Sequence, residues 1–162
     1  MLTPWTRPEA SDIILKYSGD VVCIGGDRAF YSPSTDHIQL PPDFAFNGPE
    51  EFATVALHEL SHWTGHLSRL NRDLQNRFGS SAYAIEELRA ELAFALVANE
   101  LSIPTNIPHH ASYIASWIKP LKDDKRGIFR AAADAQRIAP MELGFHPDYA
   151  AQVQEELIAV PG

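Results

Sequence analysis

The sequence predicts a single α+β domain, in which a small antiparallel sheet near the N-terminus precedes a body of helices. Two observations lead to this fold class. Short strand-like runs separated by turn residues occupy positions 21 to 40, and helical periodicity starts at Pro49 and continues from there. The length of 162 residues suits one domain with one core, so we expect residues 1–162 to form a single unit.

The N-terminal part contains one predicted helix and three predicted strands. Apolar residues at helical spacing predict a helix over Pro8–Tyr17, and Gly19 follows as a stop signal. Turn residues then separate three strand-like runs, which we expect to form a small antiparallel meander: Val21–Ile24, Ala29–Tyr31 and His37–Leu40.

The rest of the chain is predicted to be helical. Asn47 is a candidate cap for the first long helix, and Glu50 and Glu51 suit the positive end of its dipole. A polar segment from Leu67 to Ser81 separates it from the second long helix. That helix and three further helical patterns are predicted at about Tyr83–Leu101, His109–Trp117, Lys125–Ile138 and Pro147–Ala159.

The charge balance argues against a nucleic-acid partner. The chain has 13 Lys and Arg against 21 Asp and Glu, a net charge of −8, whereas non-specific phosphate binding requires a basic surface. A single cysteine, Cys23, excludes an internal disulfide and fits a reducing compartment. Apolar runs are far shorter than the ~20 residues of a membrane helix, and no signal core is present, so we expect a cytoplasmic protein.

The first long helix carries the motif H-E-x-x-H at His58-Glu59-Leu60-Ser61-His62. Residues four apart project from one face of a helix, so both imidazoles can reach one metal ion, and neutral imidazole suits zinc. Glu59 can then hold a water molecule and take its proton. The composition gives about 0.02 chance occurrences of this pattern in the chain, which favours a zinc site over a coincidental histidine pair.

Three residues near the motif are weaker candidates for a third ligand. His66 shares the helix face but lies two turns, about 11–12 Å, from His58, so it could reach the ion only if Gly65 ends the helix. Otherwise His66 is a polar residue that fixes the following turn. Ser68 holds the last position of H-E-x-x-H-x-x-G-x-x-H but is a poor zinc ligand. Cys23 lies in a predicted strand, where a buried structural thiol is expected.

The second long helix offers better candidates. Glu87 and Glu91 are four residues apart beside apolar positions, and unpaired buried carboxylates are costly. A zinc ion would provide a partner: Glu87 could bind it while Glu91 accepts the outer N–H of a ligand histidine. The opposite assignment, and a solvated acidic stripe, stay open. Glu86 points about 100° away from Glu87 and is expected to face solvent.

Together these motifs resemble a known family. H-E-x-x-H followed by E-x-x-A-E-x-x-F-A, which starts at Glu87, resembles the glutamate-type zincin metallopeptidases. Over about residues 20 to 140 the chain is similar to the C-terminal metallopeptidase domain of ArdC-type antirestriction and TraC-type plasmid primase proteins. The wider resemblance is carried by Ala29-Phe30-Tyr31-Ser32-Pro33, Asp36-His37-Ile38, His58 to His66, Arg69 to Arg72, Phe78-Gly79 and Tyr83 to Leu88.

The resemblance implies a zincin-like fold and a zinc-dependent metallopeptidase. His58, His62 and Glu87 would bind zinc, water would fill the fourth position, and Glu59 would be the general base. Glu87 is favoured because the first Glu of the family motif E-x-x-A-D is the ligand, although Glu91 replaces the usual Asp. Members of the family carry a separate domain associated with single-stranded DNA, which this sequence does not contain, so we expect no nucleic-acid binding by this domain alone.

The predicted function is hydrolysis of a peptide or protein substrate, and the resemblance implies a link to plasmid or phage antirestriction. The alternative is a zinc-stabilised module that binds a protein or single-stranded DNA without turnover. Substrate could pair with the edge of the predicted strand His37–Leu40. Tyr31, His37 and Tyr83 are candidate donors to an oxyanion.

A basic cluster follows the motif. Arg69, Arg72 and Arg77 could hold a substrate anion, but a solvated loop paired with Asp73 is the preferred interpretation. His109 and His110 are expected to cap a helix or lie on the surface.

Overall fold

The computed structural model describes residues 9–74, 80–103 and 107–150, and they form an α+β fold as predicted. The elements, in chain order, are α1 (Glu9–Ser18), β1 (Val21–Ile24), β2 (Phe30–Ser32), β3 (His37–Leu40), α2 (Pro49–Trp63), α3 (Ser81–Leu101), α4 (Ile107–Ile118) and α5 (Lys125–Leu143). Helix α5 continues five residues beyond the predicted end at Ile138. Most of the helix predicted over Pro147–Ala159 lies outside the described residues. Within the described ranges, no helix is long and apolar enough to span a membrane.

The predicted antiparallel meander is wrong, because the sheet is mixed and its order is β1-β3-β2. Strand β3 pairs with β1 in parallel and with β2 in antiparallel orientation. Ile38 and Leu40 of β3 are fully buried, so β3 occupies the centre of the sheet. Gly25 and Gly26 adopt positive φ in the loop that carries the chain past β3 to β2.

This strand order corrects two further predictions. Strand β3 is paired on both sides, so His37–Leu40 has no free edge for a substrate. Among the described strands, β1 and β2 form the edges of the sheet. Cys23 was expected to be buried, but it is exposed, because it lies on the edge strand β1, where only Val22 packs against the core.

Helix α2 joins the sheet to the helical body. Pro49 is its first residue, and Glu50 and Glu51 occupy the first turn, where carboxylates interact favourably with the helix dipole. The cap position belongs to Gly48 and not to Asn47. The buried face of α2 packs into the main core, and its members are Phe52, Ala53, Ala56, Leu57, Leu60 and Trp63.

Helix α3 lies at the centre of the helical body, in contact with α2, α4 and α5. Ser80 caps its start by accepting a hydrogen bond from the Tyr83 N–H at 3.1 Å, and Ser102 ends it in a left-handed conformation. Because neighbours surround α3, buried residues occur around much of its circumference, and one of them, Glu86, carries a carboxylate.

One charged residue, Glu142 of α5, is fully buried beneath α2. Ser61 Oγ lies 2.7 Å from Glu142 Oε1 and 2.9 Å from the Leu57 carbonyl oxygen. Both acceptors share the single proton of the Ser61 hydroxyl, and Glu142 Oε2 has no hydrogen-bond partner among the described residues. Burial raises the pKa of Glu142 to about 8, which keeps it a carboxylic acid at neutral pH.

Replacing this acid with its neutral isostere should stabilise the protein at alkaline pH. Between the usual carboxyl pKa and about 8, the unfolded chain has lost the proton that folded Glu142 retains, so stability falls as pH rises. At pH 8 the free energy of unfolding of Glu142→Gln, measured by urea denaturation, should therefore exceed that of wild type by on the order of 2–4 kcal/mol. At pH 5 the two proteins should be about equally stable. The exposed-carboxylate control Glu100→Gln should match wild type at both values. Equal stability of Glu142→Gln and wild type at pH 8 would contradict a buried neutral acid.

Candidate metal centre

Helices α2 and α3 bring three potential metal ligands to one point. His58 Nε2 lies 3.2 Å from His62 Nε2 and 3.1 Å from Glu87 Oε2, and His62 Nε2 lies 3.2 Å from Glu87 Oε1. In a tetrahedral zinc site, metal–ligand bonds of about 2.0–2.1 Å put neighbouring ligand atoms about 3.3 Å apart. The spacing of the three groups therefore fits a zinc-sized ion. Within the described ranges, no other group of His, Cys, Asp or Glu side chains is gathered in this way.

The outer nitrogens of both histidines face carboxylates of α3. His58 Nδ1 lies 3.0 Å from Glu91 Oε1, and His62 Nδ1 lies 2.7 Å from Glu86 Oε2. The earlier histidine thus meets the later glutamate, as expected for antiparallel helices. An ionised carboxylate can only accept a hydrogen bond, so the proton of each neutral ring resides on Nδ1. The Nε2 lone pairs then converge with the Glu87 carboxylate, an arrangement that favours a cation between them.

Both supporting carboxylates have a further partner. Arg72 Nε donates to Glu86 Oε1 at 2.9 Å, and His110 Nδ1 lies 3.4 Å from Glu91 Oε2. Burial alone would raise the pKa of Glu86 and of Glu91, but hydrogen bonds from the histidines and their other partners outweigh it and lower both. The two groups are therefore ionised acceptors at neutral pH.

Without a metal, protons balance the charge at this centre. Burial lowers the pKa of His58, but hydrogen bonds to Glu87 and Glu91 outweigh it and raise the pKa to about 9. For His62 the carboxylates of Glu86 and Glu87 likewise outweigh burial, and its pKa lies well above the usual value. The pKa of Glu87 is lowered, because hydrogen bonds from both rings outweigh its burial.

Two cavities meet at the three-residue cluster, and Glu59 lines both of them beside His58 and Glu87. The larger, about 590 Å³, lies between α2 and α4, and Tyr113 and Trp117 contribute aromatic walls. The smaller, about 350 Å³, extends to β2; its lining from the sheet side is Arg28, Ala29, Phe30, Tyr31 and Pro33. Together the two cavities form one groove past the cluster, and Glu59 lies where they meet.

The structure separates the ligand candidates. His58, His62 and Glu87 come together, while Glu91 faces the outer nitrogen of His58 and does not join the cluster. His66 does not join them; its Nδ1 lies 2.8 Å from the Ser68 hydroxyl, in the turn after α2.

Glu86 corrects the sequence-based expectation of a solvent-facing side chain. It is 6% exposed, because α3 is enclosed and the neighbouring positions Glu86 and Glu87 both face α2. Arg72 and His110 were also missed as partners of the centre. These residues are far from their partners in the sequence, so residue spacing gave no signal for the pairs. The side chain of His109 lies outside the described residues.

The oxyanion candidates differ in position. Tyr31 and Tyr83 line the smaller cavity, whereas His37 lines neither cavity. The Tyr31 hydroxyl donates to Asp36 at 2.6 Å. Burial and the neighbouring Glu87 raise the pKa of Tyr83, so it remains a protonated phenol beside the cluster.

The predicted solvated basic loop is wrong for both described arginines. Arg69 donates to Asp36, and its guanidinium lies 3.7 Å from the centroid of the Trp63 ring. Arg72 is buried against Glu86. Arg77 lies outside the described residues.

Known proteins are similar to this chain in sequence and in fold. The chain is 50% and 48% identical to two proteins named DNA primase TraC from Escherichia coli, over 93% and 94% of its length. The Mn(II)-bound crystal structure of antirestriction ArdC protein from the R388 plasmid matches 91% of the chain with a TM-score of 0.75 and 34% identity. The chain spans only 10% and 14% of the two primases and 56% of the crystallised ArdC chain.

A family model described as zincin-like metallopeptidase matches residues 9–134. This match and the ArdC structure confirm the zincin-like fold and the resemblance identified from the motifs. The chain belongs to the zincin-like metallopeptidase family.

Proposed function

We propose that this domain is a zinc-dependent metallopeptidase in which His58, His62 and Glu87 bind the metal ion. The observation that carries the proposal is the convergence of two Nε2 atoms and a carboxylate within 3.2 Å of one another, beside Glu59 and open to a groove. Two imidazoles and one carboxylate are the donor set of several catalytic zinc sites, which keep a further position for water or substrate.

The donor set supports zinc over manganese. Imidazole nitrogen suits zinc, and the affinity of a mixed nitrogen and oxygen site is higher for Zn²⁺ than for Mn²⁺. The crystallised ArdC relative is described as Mn(II)-bound, which shows only that the relative accepts a divalent ion. A bound divalent ion would polarise the scissile carbonyl and lower the pKa of water toward about 7.

The protein's own groups would perform the remaining steps. Glu59 accepts a proton from the attacking water and then gives it to the nitrogen of the leaving amine. The Tyr83 phenol donates a hydrogen bond to the carbonyl oxygen as negative charge develops on it. The free edge of β2, which borders the smaller cavity, pairs with the backbone of an extended substrate.

The charge of the larger cavity supports a polypeptide substrate over a nucleic acid. Glu50 and Glu51 line the larger cavity together with Glu59, and no lysine or arginine is among its described lining residues. The net charge of −8 also opposes approach of a phosphate backbone.

A second candidate is a metal-stabilised module that captures a protein without cleaving it. The name of the solved relative, an antirestriction protein, favours this alternative and a role in antirestriction. The two candidates differ in turnover: only the peptidase requires Glu59 to move a proton, whereas capture would survive its replacement by glutamine.

Glu59→Gln should abolish peptidase activity and keep the metal. The amide cannot accept the proton, so we expect kcat/KM on a fluorogenic peptide library to fall by roughly 10²–10⁴-fold with the zinc content unchanged. Glu100→Gln, on the exposed surface of α3, is the matched control and should equal wild type. Full activity of zinc-loaded Glu59→Gln would contradict the mechanism, and an inactive wild type that captures a protein would favour the second candidate.

Tyr83→Phe should lower kcat. Loss of one oxyanion donor costs roughly 10²-fold, whereas Tyr31→Phe, whose hydroxyl serves Asp36, should stay within about threefold of wild type. Steady-state kinetics on the same peptides, with the zinc content measured for each variant, provide the comparison. Unchanged kcat in Tyr83→Phe would remove this residue from the mechanism.

Metal binding should release protons and weaken in acid. At pH 7 both histidines of the metal-free centre are protonated, because their pKa values are raised, that of His58 to about 9. Zinc must displace those protons, so its affinity should fall by roughly 10–100-fold for each pH unit below about 9. Calorimetric titration with Zn²⁺ in buffers of different ionisation enthalpy counts the protons. Absence of proton release at pH 7 would contradict this charge state.

A further inference from the structure

Arg72 lies in the loop after α2, outside both metal-binding helices, yet its side chain is only 8% exposed. Its guanidinium forms a bidentate pair with the Glu86 carboxylate: Nε donates to Oε1 at 2.9 Å, and Nη2 donates to Oε2 at 3.1 Å. Nη2 also donates to the Ser61 carbonyl at 2.8 Å, and Nη1 donates to Thr64 Oγ1 at 3.1 Å. Arg72 therefore joins the end of α2 to the N-terminal part of α3.

The glycine that follows the motif makes room for this contact. A Cβ atom on Gly65 would lie 2.8 Å from Arg72 Nη2 and 3.0 Å from the side chain of Leu74. The Arg72 N–H donates to the Gly65 carbonyl at 2.8 Å, so the backbone of the loop is fixed at the same point. Gly65 thus allows the guanidinium to pass close to the backbone.

We propose that Arg72 is a positioning residue, which sets metal affinity by holding Glu86 against the outer nitrogen of His62. The inference rests on the proposed metal function. With both Glu86 oxygens gripped by the guanidinium, Oε2 remains 2.7 Å from His62 Nδ1 and fixes the ring with Nε2 toward the cluster. A partner that fixes the outer N–H of a ligand histidine commonly contributes 10–100-fold to metal affinity.

Arg89 does not duplicate this role. Its Nη1 lies 3.4 Å from Glu86 Oε1, but its Nε donates to Asp134 at 2.7 Å, so its main partner is on α5. Removing Arg72 would therefore leave Glu86 with one long arginine contact, from Arg89, in place of two hydrogen bonds from Arg72.

Arg72→Met and Arg69→Met form a matched pair for testing the proposal. Both arginines follow α2, donate to one of its last carbonyls and pair with a carboxylate, but Arg69 pairs with Asp36 and not with Glu86. We expect the Kd for Zn²⁺, measured by chelator competition, to rise about 10–100-fold in Arg72→Met and less than about threefold in Arg69→Met. Arg72→Lys should fall between Arg72→Met and wild type, because an ammonium cannot reproduce the fork.

A second measurement separates positioning from general destabilisation. In the zinc-loaded protein, exchange of the His62 Nδ1 proton with solvent, followed by NMR, should accelerate in Arg72→Met and Arg72→Lys but not in Arg69→Met. If Arg72→Met does not fold, Arg72→Lys and Glu86→Gln should still show the loss of affinity. Unchanged affinity in the folded Arg72 variants, or an equal loss in Arg69→Met, would overturn this inference alone. A wild-type chain that binds no Zn²⁺ would overturn the proposed function as well.

Discussion

The hydrogen bonds from the outer nitrogens of His58 and His62 to carboxylates of α3 determine the geometry of the whole centre. They place both Nε2 atoms toward one point, where Glu87 completes a set of three potential ligands. The same carboxylates make protons and a metal ion compete for the histidines, since they raise both histidine pKa values. A cluster of this kind binds a cation well only when the surrounding structure prevents the rings and carboxylates from turning apart.

The rest of the fold provides that constraint through the enclosure of α3 and through Arg72. Helix α3 is enclosed by α2, α4 and α5, which buries Glu86, and Arg72 holds both Glu86 oxygens from the loop after α2. The same loop is held to the β2–β3 turn, where Arg69 donates to Asp36 and Tyr31 donates to the same carboxylate, and these contacts fix the groove and not the ligands. The edge strand β2 and the metal centre are therefore parts of one connected unit, which fits a groove that must align a substrate with Glu59.

Local patterns were enough to predict the described helices and to place two histidines and two candidate carboxylates on facing helices, because residues four apart on a helix share a face. The family motif, and not the spacing, favoured Glu87 over Glu91 as the third member of the group. The strand order was not predictable in this way, since it depends on which strand packs its apolar side chains most deeply into the core. That strand is β3, through Ile38 and Leu40. Glu86 was misjudged because rotation about a helix axis predicts solvent exposure only for a helix that packs on one side. Arg72 and His110 act across long sequence separations and leave no periodic signal.

The most direct test is X-ray diffraction from zinc-loaded crystals, with anomalous data collected at the zinc absorption edge. The account predicts one strong peak about 2.0–2.2 Å from His58 Nε2, His62 Nε2 and a Glu87 oxygen, with Glu86 and Glu91 still on the outer nitrogens. A peak bound by Glu91 in place of Glu87, or no peak between the two helices, would contradict it.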